Sequence, residues 1–166
     1  LDTDELADLA PDLPKDVLQD LMYSLDAQHR ERLQSALSYP EDTVGAIMDF
    51  DIVTIRDDIT LEVVLRYLRR LPKFPDHTDK LFVISRDDTL QGVLPLKRII
   101  LNDPETRVSD IMAADAVMFH PEDMADQAAM AFERYDLVTA PVVDNNRKLI
   151  GRITVDTVMD IIREEA

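Results

Sequence analysis

The run Leu137-Val138-Thr139-Ala140-Pro141-Val142-Val143-Asp144, followed by Leu149-Ile150-Gly151-Arg152-Ile153-Thr154, decides the fold. Apolar and β-branched residues fill both stretches, and Asn145-Asn146-Arg147-Lys148 between them is turn-forming, so the pair reads as a β-hairpin with a two-residue turn. The same pattern stands earlier in the chain. Leu81-Phe82-Val83-Ile84-Ser85 matches Ala140-Pro141-Val142-Val143-Asp144 at an offset of 59, and Asp87-Asp88-Thr89-Leu90-Gln91-Gly92 matches the second turn and its continuation to Gly151. Upstream, Gly45-Ala46-Ile47-Met48 aligns with Ser109-Asp110-Ile111-Met112 at an offset of 64. Ile52-Val53-Thr54-Ile55 then corresponds to Ala116-Val117-Met118-Phe119, and the amphipathic stretch from Leu61 to Leu68 to that from Ala125 to Phe132. The offset falls by five because the first copy carries extra loop residues near Pro72 to Asp79. Such an internal repeat outweighs any single residue in fixing the architecture. Each unit reads β-α-β-β-α, which predicts an α+β fold: a small sheet with helices on one face. Two units in tandem are expected to pack sheet edge to sheet edge, with clefts between them.

Ahead of the repeats, residues 1–40 read as helix throughout. Leu6, Leu9 and Leu13 form a stripe that ends at Pro14, a residue suited to opening a new helix. Val17, Leu18, Leu21, Met22 and Leu25 recur at the helical period, and Asp26 is a good N-cap for a third helix carrying Leu33, Ala36 and Leu37. Helices this short must pack on neighbours, as in a superhelical solenoid. The organisation expected is therefore a helical fragment at 1–40, a first repeat at 41–105 and a second at 106–166. Both ends fall inside helices, so the chain is expected to be a piece of a longer protein.

Composition narrows the function classes. The 166 residues carry 18 Lys plus Arg against 34 Asp plus Glu, a net charge of −16. Such a chain repels phosphate backbones, attracts cations and resists bringing two copies together unless the contact is neutralised. There is no cysteine, which removes thiolate catalysis and Cys-ligated metals. The longest apolar run, Ala128 to Phe132, is five residues, against roughly 20 for a membrane span.

The hairpin pattern of 137–154 resembles the CBS domain, and the repeat over 41–166 resembles a CBS pair, or Bateman module. Tyr39-Pro40-Glu41-Asp42-Thr43-Val44-Gly45-Ala46-Ile47-Met48, Thr106-Arg107-Val108-Ser109-Asp110-Ile111-Met112 and the Val155–Ile162 helix are more narrowly similar to the MgtE family of magnesium channels. The helical segment 1–40 resembles the end of that family's N-terminal superhelical domain. The resemblance implies a regulatory rather than an enzymatic role. It implies a cytosolic homodimer joined through the CBS pairs, at the cytoplasmic face of the membrane. It further implies a covalently attached transmembrane transport domain outside this chain, with Mg2+ bound among acidic residues clamping the assembly and closing the pore.

The residues themselves offer a cation surface. Asp156, Asp160 and Glu164 stand at i, i+4 and i+8 of the last helix, a spacing at which like charges are mildly destabilising without a counter-ion. Asp126 and Glu133 lie two turns apart on the preceding helix, with Asp136 just beyond its end. Mg2+ takes hard oxygen ligands and retains several waters, so one or two carboxylates per ion suffice. Taken singly, each acid reads as solvated surface. The resemblance matches Asp136 and Asp160 to acidic magnesium-binding positions of the family, and it makes Asp4 and Asp8 candidate N-domain ligands. It also places Thr157 where family members carry an acid.

CBS pairs also bind adenine nucleotides through Gly-x-x-Ser/Thr-x-x-Asp, the hydroxyl meeting phosphate and the Asp holding the ribose. The first copy has Pro95 and Arg98 at the two polar positions; the second keeps Thr154 and has Thr157 in place of the Asp. Both ribose anchors are absent, which argues against ATP, although Thr154 and Lys97 remain as phosphate-facing groups. His29, His77 and His120 show no metal-ligand spacing and read as surface residues, and the methionines read as core filler. Val64, Leu68, Ala128 and Phe132 are assigned to core or interface. The function expected is the magnesium-sensing region of an MgtE-like transporter or channel. The rivals are an adenine-nucleotide-binding CBS module of another carrier or enzyme, and a CBS scaffold that binds nothing.

Overall fold

The computed structural model describes residues 39–165. The helices expected over 1–38, and with them Asp4 and Asp8, lie outside the described residues. The elements run α1 (Val44–Ile47), β1 (Thr54–Arg56), α2 (Leu61–Arg70), β2 (Lys80–Ile84), β3 (Leu90–Pro95), α3 (Leu96–Leu101), α4 (Val108–Ile111), α5 (Ala125–Tyr135), β4 (Thr139–Val143), β5 (Leu149–Thr154) and α6 (Val155–Glu165). In the first repeat β1 pairs parallel with β2, and β2 antiparallel with β3; in the second, β4 pairs antiparallel with β5.

The second repeat departs from the expected β-α-β-β-α order, because its opening stretch reaches the sheet through the single parallel bridge Phe119–Val142. Two prolines explain the loss. In the first repeat the Phe82 N–H donates to the Val53 carbonyl at 3.0 Å. The equivalent of Phe82 is Pro141, which has no N–H to offer Val117. Pro121 blocks the other end of the ladder, where the Val143 carbonyl instead faces His120 Nδ1 at 3.1 Å. His120 is thus a half-buried structural residue rather than a surface one.

Each repeat completes its core with the segment that leads into the other. Val44, Met48 and Phe50, which open the first repeat, are buried with Phe119, Phe132, Val142, Ile153 and Val158 of the second. Reciprocally, Val108 joins Ile55, Leu61, Val64, Leu81 and Leu94 in the first core. Burial of side chains of this size contributes about 1.5–3 kcal/mol each, which fastens the exchange. Backbone pairs lock it: Asp49 and Arg152 exchange N–H to carbonyl bonds of 2.8 and 2.9 Å, and Val93 and Ala113 bonds of 3.0 and 2.8 Å.

The hairpin turns are longer than the two residues expected. Ser85 and Asp144 each accept a bond from the residue three ahead, and a left-handed residue closes each loop, Asp88 at φ 66° and Arg147 at φ 63°. The carbonyls of these two residues accept bonds from Leu149 and Leu90 of the opposite repeat, at 3.0 and 2.9 Å. The sheets also meet through a face, where Phe82, Leu90 and Val93 cluster with Val143. The residues between them in β2 and β3, Leu81, Val83 and Leu94, point instead to the helices, following the period-2 alternation of a strand.

Gly92 and Gly151 permit the crossing. A Cβ on Gly92 would sit 2.5 Å from the Ala113 carbonyl oxygen, and one on Gly151 2.9 Å from that of Asp49. Backbone cannot step aside as a flexible side chain can. Gly92→Ala and Gly151→Ala are therefore each expected to lose about 1–3 kcal/mol of stability, the usual cost of overpacking. Urea denaturation measures this, and an unchanged midpoint in both variants contradicts the account.

Candidate functional site

Two regions carry the chemistry singled out by the sequence: the ends of α5 and α6, where the acidic residues stand, and the clefts beside the two glycines.

Asp136 caps the C-terminal end of α5 in a left-handed conformation, φ 53° and ψ 48°, and its N–H and that of Leu137 both end on the Phe132 carbonyl. Helices that end this way normally place glycine or asparagine there. A carboxylate at that point also faces the negative end of the helix dipole. The residue is exposed and has no ion pair among the described residues, so neither burial nor such a pair explains an acid at this place. Asp126 lies exposed in the first turn of α5, where a negative charge is favourable and needs no further reason.

On α6, Asp160 is exposed and Asp156 is largely so. Asp156 accepts a hydrogen bond from the Thr154 hydroxyl and stands 3.6 Å from His77 Nε2. It therefore faces the insertion loop of the first repeat. The side chain of Glu164 lies outside the described set. Among the described residues, no group of three or more His, Asp or Glu side chains comes together in a way that could hold a metal ion. The one-chain arrangement thus presents these acids singly, or in pairs along a helix.

Beside Gly151 a polar cleft of about 160 Å3 opens between the repeats. Arg152, 5% exposed, crosses its floor: Nε donates to Asp49 Oδ1 at 2.9 Å, and Nη1 to Thr78 Oγ1 at 3.2 Å. Thr154 is buried, with its hydroxyl turned to Asp156. In the first repeat, Lys97 is exposed on α3, and Arg98 Nη1 donates to the Ile111 carbonyl at 2.6 Å. The extra loop of the first copy, through His77 and Thr78, had no sequence signal marking it as a neighbour of Asp156 and Arg152. A contact across 74 residues leaves none.

Among the described residues two titrations are displaced. The Ser85 hydroxyl, and after it that of Thr89, holds the Asp87 carboxyl below its usual range in the first hairpin. Burial pushes the Tyr39 phenol up, with Glu122 and Asp144 adding to the effect. Neither group belongs to the acidic ends of α5 and α6.

Exposed large apolar side chains line the helices. Val63 and Tyr67 stand on α2, Ile100 and Leu101 on α3, Met130 and Tyr135 on α5, and Met159 on α6. Met130, Ala131 and Tyr135 edge an open groove of about 700 Å3, and the Arg134 guanidinium lies 5.6 Å from the Tyr135 ring centre. Met124, Met130 and Met159 are therefore not core filler, unlike Met48. Val64, Ala128 and Phe132 are buried in the cores, so any interface must use the residues beside them. Among the described residues no helix is long and apolar enough to cross a membrane.

Comparison with known proteins agrees with this architecture. A family model of the CBS domain matches residues 44–104 and again 108–164, so the chain belongs to the CBS-domain family. A second model, of the MgtE intracellular N domain, matches residues 1–42. The chain is similar to the magnesium transporter MgtE of Thermus thermophilus, with 34% identity over 98% of this chain, and to that of Bacillus subtilis, with 30% identity over 100%. It spans 37% of the length of each. The crystal structure of the cytosolic domain of the Mg2+ channel MgtE in complex with ATP matches with a TM-score of 0.88 and 33% identity, over 97% of this chain and 66% of that one.

Asp136→Asn removes the carboxylate from the helix end and keeps a residue that tolerates the left-handed conformation. In metal-free buffer it is expected to gain about 0.3–1 kcal/mol of stability. Urea melts with a chelator present check this; a loss of stability would mean that the carboxylate makes a structural contact of its own.

Proposed function

We propose that this chain is the magnesium-sensing regulatory region of an MgtE-like transporter or channel, acting as a homodimer on the cytoplasmic side of a membrane. The observation that carries the reading is Asp136, an exposed acid held where backbone and helix dipole both disfavour it, in a chain similar to magnesium transporters along its whole length. A residue kept against local stability is a candidate for function.

Asp136 and Asp160 are the principal ligands in this reading, with Asp126 and Asp156 beside them and Asp4 and Asp8 on the N-terminal segment. Their donor chemistry fits Mg2+, which prefers carboxylate oxygen and keeps part of its water shell. Sites at junctions, between segments or between copies, let an ion that takes only one or two carboxylates join separate elements. Two copies together carry twice the −16 of one. Without a divalent ion the acidic faces repel; with it they approach, and the compact arrangement gains population only in so far as the ion binds it better. In a longer protein, α6 carries that closure onward to the pore.

The apolar side chains on α2, α3, α5 and α6 support dimerisation through the helix faces of the repeats. In magnesium buffer at micromolar concentration the chain is expected to sediment as a dimer, and Met130→Asp to shift it towards monomer. A wild-type monomer of 18.9 kDa would remove this part of the reading.

Ion binding is expected in the range of about 10⁻⁴ to 10⁻³ M, as for exposed, hydrated carboxylate sites. It should raise the melting temperature by mass action. Small-angle scattering across a magnesium series should show compaction in the wild type, and a weaker response in Asp136→Asn/Asp160→Asn. Equal compaction in both proteins, or compaction by monovalent salt at matched ionic strength, would leave only general screening.

A further inference from the structure

A nucleotide is the other ligand that the relatives bring forward, since the MgtE cytosolic domain that matches this chain was solved in complex with ATP. Its fit can be tested on both signature stretches. An adenine nucleotide needs an apolar slot for the base, an acceptor for the ribose hydroxyls, and free cations or N–H groups for the phosphates.

In the second repeat the cleft has acceptors in plenty but no apolar slot for the base, and its cations are outnumbered by carboxylates. Its volume, about 160 Å3, lies below the roughly 300–1,000 Å3 of pockets that enclose ligands of drug size. Among its lining residues Pro75 is the sole apolar one, and four carboxylates, Asp49, Asp51, Asp76 and Asp156, stand against the two cations Lys73 and Arg152. A triphosphate would meet net negative charge there. The Thr154 hydroxyl, which would face phosphate, is turned to Asp156. Arg152 is committed on both sides, to Asp49 and to Thr78. In the first repeat Pro95 has no hydroxyl, and Arg98, at the position of the ribose anchor, is turned to the Ile111 carbonyl.

We propose that the cleft beside Gly151 is filled by the chain itself. Arg152 ties the two repeats together there, and adenine nucleotides have no site among the described residues. Arg152 joins three segments that the sequence keeps far apart: its own strand, the opening segment of the first repeat at a separation of 103 residues, and the insertion loop at 74. The Asp49–Arg152 side-chain pair stands next to the backbone pair of the same two residues, so the guanidinium braces the crossing where Gly151 lets it pass. The extra residues of the first copy then have a purpose, since they carry Thr78 and His77 over the cleft. Such a module responds to ions at its surface while its inter-repeat geometry is set internally.

The test has two arms, both on the 166-residue chain. Calorimetry and thermal shift with ATP up to millimolar concentration, in chelator, are expected to show no saturable heat and a melting temperature moved by less than about one degree. Saturable ATP binding overturns the proposal. In the second arm, amide hydrogen exchange is followed in Arg152→Met. Protection at the hydrogen-bonded amides of Asp49 and residue 152 is expected to fall at least tenfold, while the core of the first repeat around Leu81 and Leu94 keeps its own. If that variant does not fold, Thr78→Val, which leaves the ion pair intact, is expected to speed tryptic cleavage after Lys73. Unchanged exchange in folded Arg152→Met, or unchanged cleavage in Thr78→Val, overturns the latch.

Discussion

Two antiparallel backbone contacts, Asp49 with Arg152 and Ala113 with Val93, hold the molecule in its form. Each carries the segment leading into one repeat across the last strand of the other, and each runs directly over a glycine. Neither repeat has a complete core without the exchange. Met48 and Phe50 are as much a part of the second core as Phe132 is, and Val108 is wholly buried in the first. A repeat excised at its sequence boundary would expose these sockets. The pair is therefore the folding unit, and its two-fold likeness follows from chain pairing as well as from duplicated sequence.

Within that frame the two halves have diverged for identifiable reasons. Pro141 and Pro121 remove two backbone donors and reduce the opening strand of the second repeat to one bridge. The insertion at 72–79 gives the first repeat an arm that reaches the second. The cleft beside Gly151 is consequently walled by residues from three segments, while the stretch beside Gly92 has Arg98 turned to a backbone carbonyl. A duplicated signature has thus become two different environments, one closed by an ion pair and one by a guanidinium on the main chain.

The acids of α5 and α6 follow a different logic. They belong to neither cleft floor nor core, and most stand in solvent. Asp136 is the informative one, because asparagine or glycine would serve the helix end better. Met130, Tyr135 and Met159 lie on the same elements as these acids, so in the proposed function association of copies and neutralisation of charge act on one surface.

Much of this was legible along the chain. The duplication, the hairpins, the order of elements in the first repeat and the placing of Asp136 just past a helix all follow from local periodicity and turn chemistry, which depend on neighbours a few residues apart. So does the likeness to CBS pairs, carried by the 137–154 pattern. What lay beyond reach depends on distant partners. That 44–50 and 108–112 exchange cores, and that Arg152 meets Asp49 and Thr78, are consequences of backbone crossings between segments up to 103 residues apart. The single-residue strand at Phe119 lay between the two cases. Both prolines were visible, but their effect appears only once the parallel partner is known. Local order determined the elements; the crossing over two glycines decided which of them share a core and which clefts stay open.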